Sequence, residues 1–212
     1  MPLLFFVCLL GMIGVMPLHF LSVEHVKLQD IYERLKGAKI GEIYGLVSGW
    51  AFFLFWIGIW VSSQPRLPIL LGLNFGSILV SSFSIPILYL AISISLILGG
   101  SWLAISGLGE VTLRVAETHR TNKIVTTGVY SIVRHPQYLG GLLAHVGISF
   151  LLSAMYSLLS TPVVIILIFL MSRKEEEELV REFGEEYERY QRTVRMFIPE
   201  FGDLRTPNRQ SN

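Results

Sequence analysis

Long apolar stretches alternate with polar segments along the 212 residues of this chain. A helix needs about 20 predominantly apolar residues to cross a bilayer, so stretches near this length predict membrane-spanning helices. The first stretch has neither a basic start nor a small-residue cleavage pattern, so we expect an uncleaved span and not a signal peptide. The predicted spans are residues 1–23, 43–62, the shorter Gly/Ser-rich 67–83, 85–108 and 137–158.

The next apolar stretch, residues 161–172, is too short to cross a bilayer by itself. Pro162 near its start predicts a break from the preceding helix. We therefore predict that residues 137–172 form a helical hairpin, whose second arm can continue into the charged tail. The resulting fold class is an all-α integral membrane protein with about five to six transmembrane helices and this C-terminal hairpin.

The polar segments predict the sidedness of the protein. In a six-span arrangement residues 109–136 and 173–212 share one side with Arg66, and together they hold 13 of the 17 Lys and Arg residues. The positive-inside rule places this richer side in the cytosol, where we expect the functional pocket. Residues 24–42 are predicted to contain an amphipathic interfacial helix. Its four basic residues fall on the opposite side: Lys27, Arg34, Lys36 and Lys39.

Composition agrees with a membrane protein and argues against other classes. Charged residues make up 16% of the chain, against about 25% in soluble domains. Basic residues are too dispersed for a nucleic-acid site, and no GxGxxG follows a strand as in soluble dinucleotide-binding folds. The histidines lack metal-ligand spacing, so we expect no metal and place His19 and His25 at the membrane interface. The single Cys8 can form no intrachain disulfide.

Titratable residues crowd the start of the predicted hairpin in TGVYSIVRHPQYLGG, residues 127–141. Pro136 suits the first position of a helix, with His135 at the cap. A helix start also attracts anionic groups, and the glycines at 128, 140 and 141 permit tight turning and close approach. From these features alone, an ordinary helix start and a ligand site are both open.

Two blocks of sequence carry a resemblance to a known family. THRTNKIVTTGVYSIVRHPQYLGG followed by EEEELVREFGEEYERYQRTVRMFIP resembles the isoprenylcysteine carboxyl methyltransferase family over residues 118–199. The resemblance implies that S-adenosyl-L-methionine binds at the cytosolic side and that its methyl group goes to the C-terminal carboxylate of a prenylated cysteine. Residues 109–212 would then be the catalytic region, and residues 1–108 the N-terminal transmembrane helices.

The resemblance also implies site residues. Arg134, which precedes the HPxY segment, is open to two interpretations: an orienting contact, or an interfacial side chain that snorkels. Where the family commonly has His, this chain has Asn122, which weakens a side-chain role at that position. The implied cofactor-binding residues are Asn122, Lys123, Ile124 and Val125, then Tyr130, then His135, Pro136, Gln137 and Tyr138.

The glutamate run after the hairpin leaves the helix register open. The family spacing to FGEEY selects Glu175 as the residue that contacts the cofactor. Arg173 is the cation best placed to hold the substrate carboxylate, and i,i+4 pairing with Arg173 selects Glu177 as the cofactor contact instead. Residues two apart point about 200° from each other on a helix, so Glu175 and Glu177 cannot face the same site. We favour Glu175.

The expected chemistry suits a membrane enzyme. A carboxylate is already ionised at neutral pH, so its methylation needs placement and exclusion of water and no general base. A prenylated cysteine, as a protein or a small molecule, would enter from the bilayer, which explains a multi-pass enzyme whose site faces the cytosol. The membrane would be the endoplasmic reticulum in a eukaryote and the cell membrane in a prokaryote. Three alternatives stay open: a phospholipid amine N-methyltransferase, an NADPH-dependent sterol or lipid reductase, and a non-catalytic scaffold.

Overall fold

The structure is a computed structural model that describes residues 2–32, 34–68, 76–80, 83–111 and 123–199. Three of its helices are long and apolar enough to cross a membrane: α1 (Leu3–Val23), α3 (Arg34–Val61) and α4 (Ile87–Glu110). The short α2 (His25–Tyr32) connects the first two and packs against α3. The predicted all-α membrane fold is confirmed, and the number of spans stays a prediction.

The C-terminal part contains the predicted helical hairpin. Its arms are α5 (Pro136–Leu151) and α7 (Thr161–Phe183), and the short α6 (Met155–Leu159) lies in the connection. α7 continues from the apolar stretch into the charged tail and ends at Phe183. The residue after it, Gly184, has a φ of 57°, which glycine adopts readily. The last helix, α8 (Glu185–Thr193), follows at once.

The span predicted at residues 67–83 is wrong for the part that the structure describes. β1 (Ser77–Val80) and β2 (Phe83–Pro86) form an antiparallel hairpin, with Ser77 opposite Pro86. β-branched residues such as Ile78 and Ile85 favour extended backbone, and Pro86 is tolerated at the end of the ladder. Residues 69–75 and 81–82 of the predicted span lie outside the described residues.

The loss of this span reverses part of the predicted sidedness. Lys174 Nζ lies 2.7 Å from Glu24 Oε1, so the segment after α1 is at the same end of the bundle as the tail. Arg66 was predicted to lie with the tail. Its backbone instead pairs with that of Ala154, at the tip of the helical hairpin formed by α5 and α7. The predicted side of Lys27, Lys36 and Lys39 is therefore wrong, because removing one span from the count moves every earlier segment to the opposite side of the membrane.

Two helix pairs build the bundle, and α7 joins them. α1 packs on α3, and their buried side chains form one core with α7. α4 packs on α5 so closely that a Cβ added at Gly100 would lie 2.6 Å from the carbonyl oxygen of Gly140. Small residues at such crossings let two helix backbones approach within a membrane. The buried core residues include Phe5, Met12, Phe52, Ile59, Val164 and Ile168.

Candidate active site

A cavity of about 290 Å³ opens between the helix pairs, at the end of the bundle that carries the tail. Two helices line it with faces of opposite character. The face of α7 is mainly acidic, because its lining positions recur at helical spacing: Met171, Glu175, Glu178, Leu179 and Glu182. The facing side of α3 is apolar and aromatic: Gly49, Phe52, Phe53 and Trp56.

The loop before α5 forms a third wall. Gly128 has a φ of 55°, and the carboxylate of Glu110 occupies the space where a Cβ would project, so this turn requires glycine. Thr127 Oγ1 donates to Glu110 Oε2 at 3.1 Å and ties the turn to the end of α4. The following 3₁₀ turn, Gly128–Ser131, directs Tyr130 toward the cavity.

Tyr130 is held from both sides. Gln137 Nε2 donates to the Tyr130 hydroxyl at 3.1 Å, and the Tyr190 hydroxyl donates to the Tyr130 carbonyl oxygen at 2.6 Å. Burial raises the pKa of Tyr130 to about 12, so its phenol stays protonated at neutral pH and can donate a hydrogen bond into the cavity.

A buried ion pair forms part of the cavity wall, which Arg134 lines. Arg134 donates from Nε to Glu176 Oε1 at 2.7 Å and from Nη2 to Oε2 at 2.9 Å, a bidentate arrangement. His135 Nε2 and Gln191 Nε2 donate to the same carboxylate at 2.9 and 2.8 Å. Burial alone would raise the pKa of Glu176, but the hydrogen bonds from His135 and Arg134, with the attraction of their charges, lower it to about 2.

The same arginine holds the segment that follows α8. Arg134 Nη1 donates to the carbonyl oxygens of Gln191, at 3.1 Å, and Val194. The backbone N–H groups of Arg134 and His135 donate to the carbonyls of Arg195 and Met196 at 2.9 and 3.2 Å. The snorkelling interpretation of Arg134 is therefore wrong, because its guanidinium is turned inward and most of its donors are used by the protein.

Glu175 lies inside the cavity among three hydrogen-bonding groups. The Tyr138 hydroxyl donates to Glu175 Oε1, and His19 Nε2 lies 3.5 Å from the same oxygen. His135 Nδ1 is 3.8 Å from Oε2. His19 is 1% exposed, so the expected position of this histidine at the interface is wrong: it is buried against the helix that carries Glu175.

Most of the residues predicted for the site lie around this one cavity. Pro136 is buried beneath them against Gly107, and Asn122 lies outside the described residues. Arg173 and Glu177 are exposed and are not among the residues that line the cavity, because each is about 200° around α7 from Glu175. The predicted residues that line it are Lys123, Ile124, Val125, Tyr130, His135, Gln137, Tyr138 and Glu175.

Three important residues of the site were missed from the sequence. Glu178 lies one turn beyond Glu175, so the i,i+3 rule would have found it. Glu176 was hidden in a run of four identical residues, and nothing local marks it as the partner of an arginine 42 positions earlier. Gln191 lies in α8 and carries no motif that would reveal its bond to Glu176.

Two comparisons with known proteins found sequence similarity. Residues 88–186 match the phospholipid methyltransferase family, a segment that runs from α4 into α8 and carries most of the cavity's polar residues. An 85-residue segment is 34% identical to protein-S-isoprenylcysteine O-methyltransferase of Schizosaccharomyces pombe. That match covers 40% of this chain but only 36% of the yeast protein, and no solved structure matches the chain. Both matches cover less than half of the chain, and they agree with the family resemblance that the two sequence blocks carry.

Proposed function

We propose that this protein methylates the carboxylate of an S-prenylated cysteine, with S-adenosyl-L-methionine as the methyl donor. One observation carries the proposal: a single cavity joins a wall of carboxylates to an aromatic wall on a membrane-spanning helix. Such a cavity suits a cationic cofactor together with an acceptor that has a polar end and a hydrocarbon chain. The similarity to the yeast prenylcysteine methyltransferase supports this acceptor.

The residues of the cavity fit the cofactor. S-adenosylmethionine, when bound, supplies a methyl group activated by the positive charge of a sulfonium. Glu175 and Glu178 are carboxylates placed to balance the positive charges of the sulfonium and ammonium groups. The phenol of Tyr130 is placed to donate a hydrogen bond to it, and Nδ1 of His135, whose Nε2–H is used by Glu176, is placed to accept one. Residues 123–125 line the same wall, and their backbone groups can hold its polar edges.

The acceptor carboxylate needs a different partner. Most of the donors of Arg134 are used by Glu176 and backbone carbonyls, and Arg173 is exposed and is not among the lining residues. Lys123 lines the cavity and supplies positive charge there, so we propose that it orients the acceptor carboxylate. That group is already ionised at neutral pH, so the protein has only to align it and keep water away.

We place this cavity on the cytosolic side. Among the lysines and arginines that the structure describes, Arg66 alone lies at the end formed by residues 62–68 and 152–160. All the others lie at the end that carries the cavity, and positively charged segments stay in the cytosol during membrane insertion. A site there would meet prenylated proteins at the membrane surface, of the endoplasmic reticulum in a eukaryote or the cell membrane in a prokaryote.

A second candidate is N-methylation of a phospholipid amine. The family match and the acidic wall of Glu175, Glu178 and Glu182 favour it, because carboxylates attract an ammonium headgroup. This reaction must remove a proton from the amine. Glu175 is a carboxylate inside the cavity and is the candidate base. The two reactions therefore differ in the product bond and in the need for a base.

One experiment separates these reactions. The purified protein in liposomes is given radiolabelled S-adenosylmethionine with either N-acetyl-S-farnesylcysteine or phosphatidylethanolamine. We expect label in the farnesylcysteine that mild alkali releases as volatile methanol, because a methyl ester hydrolyses and an N-methyl group does not. Alkali-stable label in the phospholipid would replace the proposal by the second candidate. Absence of label in both, with binding of NADPH, would favour a reductase.

A further inference from the structure

The floor of the cavity is formed by two residues on antiparallel helices. α3 runs away from the charged end of the bundle, so Trp56 is the deepest of its lining residues. α7 runs in the opposite direction, so its deepest lining residue is Met171. One turn further from the charged end, Ile59 and Ile168 are 0% and 2% exposed within the packed core. The cavity therefore ends at Trp56 and Met171.

α5 fixes the position of the Trp56 indole. Its Nε1–H donates to His145 Nδ1 at 2.9 Å, and Trp60 Nε1 donates to the same nitrogen at 2.9 Å. One turn away, a Cβ added at Gly141 would lie 3.2 Å from Cη2 of the ring, so glycine leaves the space that the indole fills. The edge of Phe52 packs on the ring with centroids 5.6 Å apart. A side chain held at three points forms a rigid floor.

The other end of the same helical face is open. Gly49 lies two turns before Trp56, about 10 Å along the axis at 1.5 Å per residue. A Cβ added at Gly49 would meet nothing within 4 Å, although Gly49 lines the cavity. One turn beyond Gly49, the lining residue Phe53 is 46% exposed on a membrane-spanning helix. The aromatic wall therefore begins at a gap near the carboxylates and stops at a fixed indole.

We infer that Trp56 sets the length of the hydrocarbon chain that the methyl acceptor carries. This inference rests on the proposed function. The polar end of the acceptor lies at Lys123, beside the cofactor that Glu175 contacts, and its chain runs along α3 from Gly49 to the indole. A chain longer than this compartment must fold back or leave its end outside, so it loses apolar contact that a shorter chain makes in full. Trp56 is a specificity-determining residue, and His145 positions it.

The first test measures chain-length preference. Turnover of N-acetyl-S-geranyl-, S-farnesyl- and S-geranylgeranylcysteine is compared in the wild type, Trp56→Phe and Trp56→Ala. Because a pocket gains or loses about tenfold in kcat/KM for each methylene it admits or rejects, we expect Trp56→Ala to raise the ratio of longer to shorter acceptors about tenfold or more. Gly49→Leu should shift the ratio toward shorter chains. Trp50→Ala, 51% exposed on the same helix, is the matched control and should leave the ratio unchanged.

The second test needs no turnover. In a Trp50→Phe, Trp102→Phe background, Trp56 and Trp60 remain, and alkylthioacetates of increasing length with a terminal bromine serve as fluorescence quenchers. We expect quenching to rise steeply at one chain length and to be lost on a further Trp56→Phe. The inference would be overturned by the same turnover ratio of longer to shorter acceptors in every variant, or by quenching that rises smoothly with chain length. If the wild type methylates no prenylcysteine, the proposed function fails, and the quenching alone decides the role of Trp56.

Discussion

Replacement of Glu176 by Gln probes the ion pair on which the site is built. The change keeps the size of the side chain, replaces one accepting oxygen by an NH2 donor, and leaves the buried guanidinium of Arg134 without its counterion. The side chains of Arg134 and Glu176 are 9% and 7% exposed, so solvent screens the pair little. Loss of one partner of such a buried pair costs about 3–5 kcal/mol of folding free energy.

The pKa of the carboxylate gives an independent magnitude. Folding lowers the pKa of Glu176 from its usual 4.5 to about 2, and each pH unit of difference corresponds to about 1.4 kcal/mol, or about 3 kcal/mol in all. Because the pKa is lower in the folded state, this stability is present in full above about pH 4.5. It is lost as the pH falls from there toward about 2, where the folded protein also takes up the proton.

Unfolding of the detergent-solubilised protein would measure both effects. At pH 7 we expect Glu176→Gln to unfold at a markedly lower temperature than the wild type, with weaker cofactor binding because His135 and residues 194–196 lose their anchor. The difference should shrink as the pH is lowered from about 4.5 toward about 2. Glu177→Gln, an exposed neighbour, is the matched control. The reasoning is refuted if both variants unfold at the wild-type temperature, or if Glu177→Gln is destabilised equally.

Three further predictions follow from the geometry. Glu175→Gln should weaken calorimetric binding of S-adenosylmethionine at least about tenfold, because a charge-assisted bond is worth about 1.5–3 kcal/mol, whereas Glu177→Gln should bind normally. Lys123→Gln should raise the KM for a prenylcysteine with little change in cofactor affinity; a larger effect of Arg173→Gln would instead restore Arg173 as the carboxylate partner. Gly140→Val should lower stability by about 1–3 kcal/mol or more through overpacking of α4 on α5, measured by thermal unfolding.

The sequence correctly predicted the helices and turns that depend only on neighbouring residues. Apolar stretches long enough to span a bilayer became α1, α3 and α4, and Pro162 marked the start of α7. The requirement for glycine at 128 follows from one turn, and the place of Pro136 at the first position of α5 follows from one helix start. Helical spacing alone separated Glu175 from Glu177, because the angle between two positions on a helix is fixed by its geometry.

Prediction from the sequence failed where the structure of one segment determines the sidedness of all the others. Residues 67–83 have the hydrophobicity of a short span, and hairpin pairing between Ser77 and Pro86 competes successfully with a helix there. Because each membrane crossing is counted from the previous one, this one wrong span placed Lys27 and Arg66 on the wrong sides in the prediction. Asn122 lies outside the described residues, so its role stays a prediction.

Only the tertiary structure decided which charges meet. Arg134 and Glu176 are 42 residues apart, and their pairing depends on the rotation of α7 against the start of α5, which no window of sequence contains. The same holds for His145, which accepts hydrogen bonds from two tryptophans more than 80 positions earlier and so fixes the floor of the cavity. The sequence by itself determined the helices, the family resemblance and the residues available for chemistry. Packing of the helices determined their partners, because burial removes water as the alternative partner and makes each unpaired charge costly.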